Sequence, residues 1–130
     1  MASQEEVVQK IGEGFILEYY RRFDSADWRS VGELYFESAC STWEGQVNVG
    51  REAIIGKLAS LPFRTIQHVT TEKDVQLTGD NAILIMVMGQ LKADEDPIMG
   101  FQQVFLLRLA NGSWGCTNDM FRLSIHNFGA

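Results

Sequence analysis

Apolar residues recur every four positions at Val7, Ile11, Phe15, Tyr19 and Phe23, flanked by Val8, Gly12, Ile16 and Tyr20, a spacing that predicts one long helix with a broad buried face. Ser3 and Glu6 stand at capping-box spacing before it. Asp24-Ser25-Ala26-Asp27 breaks this helix, and Trp28, Val31, Leu34 and Tyr35 predict a short second one capped by Ser25 or Asp27. Cys40 to Val47 carries β-formers around a glycine and predicts a short hairpin, with Trp43 and Glu44 near its turn. Gly50 restarts a helix striped by Ala53, Ile54, Lys57, Leu58 and Leu61, and Pro62 stops it.

From Thr65 the period becomes two, with Ile66, His68 and Thr70 on one face and Gln67, Val69 and Thr71 on the other. The strand runs to about Leu77, and Gly79-Asp80-Asn81 turns it into the apolar run Ala82–Met88. That run is uniform enough to predict a central strand covered on both faces. It pairs in a long antiparallel hairpin with Met99–Leu109, across an acidic tip of Asp94, Glu95 and Asp96. Ala110-Asn111-Gly112-Ser113 turns into a last strand, Trp114 to about His126. Helices followed by a meander predict a single α+β domain over residues 1–130, its curved antiparallel sheet wrapped around a long N-terminal helix, with two shorter helices beside it. In the last strand Trp114, Cys116 and Met120 lie on one parity, and Phe121, Leu123 and Ile125 on the other, so both faces call for apolar cover. One helix layer covers one face. A second copy of the chain is the expected cover for the other, over Met86, Met88, Met120 and Leu123.

Charge narrows the partners. A formal net charge of -6 repels phosphate backbones and anionic lipid, so neither nucleic acid nor a membrane surface is expected to bind, and a basic protein surface is favoured. No apolar run reaches membrane-spanning length, and the amino terminus has neither the basic start nor the apolar stretch of a signal peptide, so an intracellular protein is expected. Cys40 and Cys116 resemble two small buried side chains more than a disulfide framework.

Enzyme chemistry is thin. The chain has no glycine-rich phosphate loop, no nucleophile elbow, and no Cys or His cluster at metal-ligand spacing, so neither metal nor cofactor is expected. His68 and His126 are its only imidazoles, and an Asp–His dyad competes with a structural, hydrogen-bonded histidine. Asp119, beside Asn118 and Met120, offers a carboxylate to a cavity in the same sense. The more distinctive pattern joins apolar groups to carboxylates at loop ends. Trp43 adjoins Glu44 and Met99 follows Asp96 by three residues, as a docking site for a basic protein with one protruding aromatic requires.

Phe23-Asp24, Thr42-Trp43-Glu44-Gly45, Ser60-Leu61-Pro62-Phe63, Ile66-Gln67-His68, the segment Gly89–Phe101 and the segment Thr117–Leu123 closely resemble the nuclear transport factor 2 family. The resemblance runs from about Ile11 to Gly129 and implies a cone-shaped fold, a homodimer, and a non-enzymatic carrier that takes Ran in its GDP form through nuclear pores. It implies residence in cytoplasm and nucleus and at the pores of the nuclear envelope. By the same resemblance Glu44, Asp94 and Asp96 face basic residues of Ran. A Ran aromatic enters a cavity formed by Trp43, Leu61, Phe63, Ile66, Leu91, Met99, Met120 and Phe121, and His68, Met86 and Met120 support the dimer. Val8 stands where vertebrate members carry a tryptophan that helps bind Phe-x-Phe-Gly nucleoporin repeats, and valine offers a phenylalanine ring much less area. Two alternatives use the same fold: a small-molecule isomerase or dehydratase with Asp119 or His68 as base, and a peptide-binding scaffold dimer.

Overall fold

A computed structural model describes residues 2–124. Helix α1 (Gln4–Asp24) starts in the expected capping box, in which the Ser3 hydroxyl accepts from the Glu6 amide and the Glu6 carboxylate accepts from the Ser3 amide. Its buried stripe is Val8, Gly12, Phe15, Ile16, Tyr19, Tyr20 and Phe23, while Val7, expected on that stripe, faces out. Asp27 caps α2 (Trp28–Gly32) by accepting from the Ser30 amide. This helix is shorter than expected. Leu34 lies beyond it, and Tyr35 already opens β1 (Tyr35–Trp43), which turns at Glu44-Gly45 into β2 (Gln46–Val49). Both turn residues have positive φ, +48° and +85°, the backbone of a tight hairpin turn. After α3 (Arg51–Ala59) come β3 (Ile66–Leu77), β4 (Ala82–Ala93), β5 (Met99–Ala110) and β6 (Ser113–Leu123). Ile125 and His126, expected at the end of the last strand, lie outside the described residues.

The six strands form one curved, unclosed sheet in the order β2-β1-β6-β5-β4-β3. Its pairs are antiparallel except β1 with β6, which is parallel. That exception departs from the all-antiparallel expectation and follows from β1 being reached through the helices rather than by a hairpin. The α1 stripe packs into the concave face, where Ile83, Ile85, Val87, Phe101, Phe105, Leu107, Cys116 and Phe121 are buried.

Two bulges correct the parity expected from sequence. The β3–β4 register shifts between Thr70 and Glu72, leaving Thr71 unpaired, and the β5–β6 register passes from Leu107↔Cys116 to Leu106↔Asn118, leaving Thr117 unpaired. An extra residue reverses the alternation beyond it. Cys116 and Phe121 therefore both point inward, as Leu123 does, and Met120 points outward. Within one chain β4 is covered on one face. Ile83, Ile85 and Val87 are buried, but Leu84, Met86 and Met88 are 39%, 45% and 46% exposed on the convex side. Close approach fixes the neighbouring strand as well, since a Cβ on Gly89 would meet the Val69 carbonyl oxygen at 2.1 Å.

Candidate functional site

Strand register brings four distant segments to one end of the cone. Trp43 pairs with Phe121, Leu91 with Met99, and Ile66 with Ala93, which gathers the β1–β2 turn, the β4–β5 turn, the end of β6 and the α3–β3 connection. Trp43 stacks on Phe121 with ring centroids 4.0 Å apart and planes 7° from parallel. Phe23 lies nearly parallel to Trp43 with ring centroids 5.9 Å apart, and Phe63 meets Trp28 edge-on at 6.1 Å. Phe121, Ile66 and Leu91 form a buried floor, and half-buried Trp43, Leu61, Phe63 and Met99 leave apolar surface reachable from outside. Met120 does not belong to this lining. It is the outward neighbour of Phe121 and is 56% exposed on the convex face.

Carboxylates rim the mouth, and they differ in how firmly they are held. Glu44 Oε1 accepts from the Leu123 amide at 3.1 Å and Oε2 lies 3.5 Å from Arg122, which ties the β1–β2 turn to the end of β6. Asp94 bonds to the residues that lead into the neighbouring strand β3. Its Oδ1 accepts from the backbone amides of Arg64 at 3.0 Å and Thr65 at 2.9 Å and from the Thr65 hydroxyl at 3.3 Å. The Thr65 backbone amide, the other donors and the nearby Arg64 charge hold its carboxyl below the ordinary carboxylate value. Glu95 and Asp96 are exposed at the tip.

His68, expected at a dimer surface, is inside the fold. Its side chain is 1% exposed, with Nδ1 2.6 Å from Asp24 Oδ1, and its backbone amide donates to Asp24 Oδ2 at 2.9 Å. The ring packs among Tyr20, Phe23 and Phe101. The cause is its parity on β3, which it shares with Ile66. Val8 is also inward and 8% exposed, because it lies on the α1 stripe; it presents almost nothing for a ring to stack on.

Deeper in the cone Asp119 is 3% exposed, accepting from the Tyr35 hydroxyl at 3.0 Å and the Gln103 amide at 2.8 Å. Tyr20 donates to Gln103 Oε1 at 2.7 Å, and the Tyr19 and Tyr35 hydroxyls are 2.9 Å apart. Burial raises the Asp119 carboxyl above its ordinary value of 3.8, with bonds from Ser41, Gln103 and Tyr35 opposing the shift. A raised folded-state value means that stability is greatest below the unfolded-state pKa and declines as pH rises through the folded one. Denaturant unfolding from pH 4 upward is expected to show this decline in the parent and to lose it in Asp119→Asn. Parallel pH dependences for the two proteins would contradict it. Both carboxylate oxygens already have protein partners, so the group ties β6 to β5 and β1. Among the described residues no side-chain group of three or more His, Cys, Asp or Glu could hold a metal ion, and no helix is long and apolar enough to cross a membrane.

The nuclear transport factor 2 domain model matches residues 11–123. The chain belongs to the nuclear transport factor 2 domain family. A Caenorhabditis elegans member is 43% identical over 125 residues, covering 92% of this chain and 94% of its own. Nuclear transport factor 2 of Schizosaccharomyces pombe is 40% identical over 108 residues, covering 82% and 87%. The solved structure of nuclear transport factor 2 from Cryptosporidium parvum superposes with a TM-score of 0.85 at 32% identity, covering 90% of this chain and 94% of that one. For a nuclear transport factor 2 domain the mouth is the feature that sequence made visible, through Trp43-Glu44 and the acidic tip. The Arg64–Thr65 amides that hold Asp94, and the Tyr35–Gln103–Asp119 network, were not visible there, because each joins residues distant in sequence.

Proposed function

We propose that this chain is a non-enzymatic carrier that binds Ran in its GDP form and takes it through nuclear pores. The observation that carries the proposal is one end of the sheet, where half-buried Trp43, Leu61, Phe63 and Met99 lie beside buried Ile66, Leu91 and Phe121, with Glu44, Asp94 and Asp96 on the adjoining turns of a protein of net charge -6. Such an apolar surface accepts one protruding aromatic, and the rim selects a basic surface around it. The names of the curated relatives support a transport role. Direction of transport then comes from Ran, whose GTP form withdraws the groups that the mouth requires.

The convex face supports a homodimer. Register carries one row across the sheet, Val47↔Thr42↔Met120↔Val104↔Met86, and a second, Val49↔Cys40↔Asn118↔Leu106↔Leu84. Val47, Val49, Leu84, Met86 and Met120 are exposed along these rows, a contiguous apolar surface suited to a two-fold contact with a second copy. Nucleoporin repeats are the remaining partner; with Val8 turned inward, that contact falls to other exposed apolar groups rather than to Val8. Calorimetric titration with Ran loaded with GDP, and separately with a GTP analogue, tests the carrier reading. Binding to the GDP form alone is expected. Equal binding to both forms, or to neither by a folded dimer, overturns it.

A further inference from the structure

Where β3 begins beside the β4–β5 turn, the Asp94 side chain adds to the backbone pairing of Ile66 with Ala93. Asp94 sits at the tip of the β4–β5 hairpin with φ +49°, and its Oδ1 takes the Arg64 amide, the Thr65 amide and the Thr65 hydroxyl, while its own amide donates to the Thr65 carbonyl at 3.0 Å. These bonds close a ring between two loops that are about thirty residues apart in sequence. The Arg64–Thr65 segment directly follows Leu61-Pro62-Phe63, whose apolar groups form one side of the mouth, and directly precedes Ile66 in its floor. Asp96, two residues on, is exposed and accepts no bond from that segment.

We infer that Asp94 is a positioning residue as well as a rim charge: its carboxylate clamps Arg64–Thr65 and thereby fixes the Leu61–Phe63 wall of the mouth. This rests on the carrier reading for its effect on affinity, but the clamp itself belongs to the free protein. The geometry separates the two roles, because nearly all the donors converge on one oxygen. Asparagine keeps that oxygen and tolerates the left-handed backbone, so Asp94→Asn removes the charge and keeps the clamp. Glycine tolerates the same backbone with no acceptor, so Asp94→Gly removes both.

Amide hydrogen exchange and the Phe63 ring resonances in the free protein give the first readout. Slow exchange at Arg64 and Thr65 is expected in the parent and in Asp94→Asn and is expected to be lost in Asp94→Gly, with the Phe63 resonances shifting only in the glycine variant. Binding to Ran-GDP gives the second. Asp94→Asn is expected to weaken it through lost charge, and Asp94→Gly to weaken it roughly tenfold further, the scale of one or two hydrogen bonds. Unchanged exchange and Phe63 signals in the glycine variant would overturn the clamp. Clamp loss with equal affinities in the two variants would overturn its role in binding. Should the parent not bind Ran-GDP, the carrier reading fails by itself and the exchange data still decide the clamp.

Discussion

Replacing Glu44 with lysine is expected to abolish measurable binding of Ran-GDP while leaving a folded protein. Close charge pairs in protein interfaces couple by ~1.5 to 7 kcal/mol, and reversal of sign adds repulsion to the lost attraction. The lower end of that range corresponds to about a tenfold loss and its middle, about 4 kcal/mol, to roughly a thousandfold, before the repulsion is added. The fold is not untouched, because Glu44 Oε1 holds the Leu123 amide and Oε2 faces Arg122. Lysine leaves that amide without its acceptor and sets an ammonium beside a guanidinium, at a cost of about 1 to 2 kcal/mol. Glu44→Gln separates the effects, since its amide oxygen still accepts from Leu123. It should melt near the parent and still bind weakly. Undiminished affinity in Glu44→Lys, measured by calorimetry on protein with a native circular dichroism spectrum, would remove Glu44 from the rim.

Met120→Glu is expected to split the proposed homodimer into folded monomers. Within one chain Met120 is 56% exposed, so the glutamate stays hydrated and the monomer keeps its core. In a two-fold contact through the convex face the substitution places two carboxylates in one apolar interface. Each costs on the order of several kcal/mol to desolvate, and the dissociation constant should rise roughly a thousandfold or more. Sedimentation equilibrium gives the mass directly. An unchanged dimer would mean that the copies meet elsewhere, and Met120→Leu, which keeps the surface apolar, should remain dimeric.

Periodicity and turn chemistry set the elements of this fold in advance. The Ser3–Glu6 box, the break at Asp24–Asp27, the Gly50 start and the four hairpin turns are encoded by residues within a few positions of one another, where local hydrogen bonding decides the outcome. The acidic tip and the Trp43-Glu44 pair were legible for the same reason, since hairpin ends must be exposed and their residues are adjacent in the chain. Face assignment was legible only between bulges. Thr71 and Thr117 each add one residue to a strand, and nothing in their own side chains marks them; the pairing partner creates the bulge. Met120 consequently lies outside and Leu123 inside. His68 shows the same division. Its parity on β3 could be read from sequence, but its burial could not, because that depends on Asp24 at the end of α1 arriving within 2.6 Å. Local sequence thus determined which segments are helix, strand and turn and which charges stand at the loop ends. Tertiary structure alone decided which oxygen of Asp94 holds which amides, and which methionines remain on the open face. Those outcomes depend on contacts between residues dozens of positions apart, whose energies exist only once the sheet has curved around the helix.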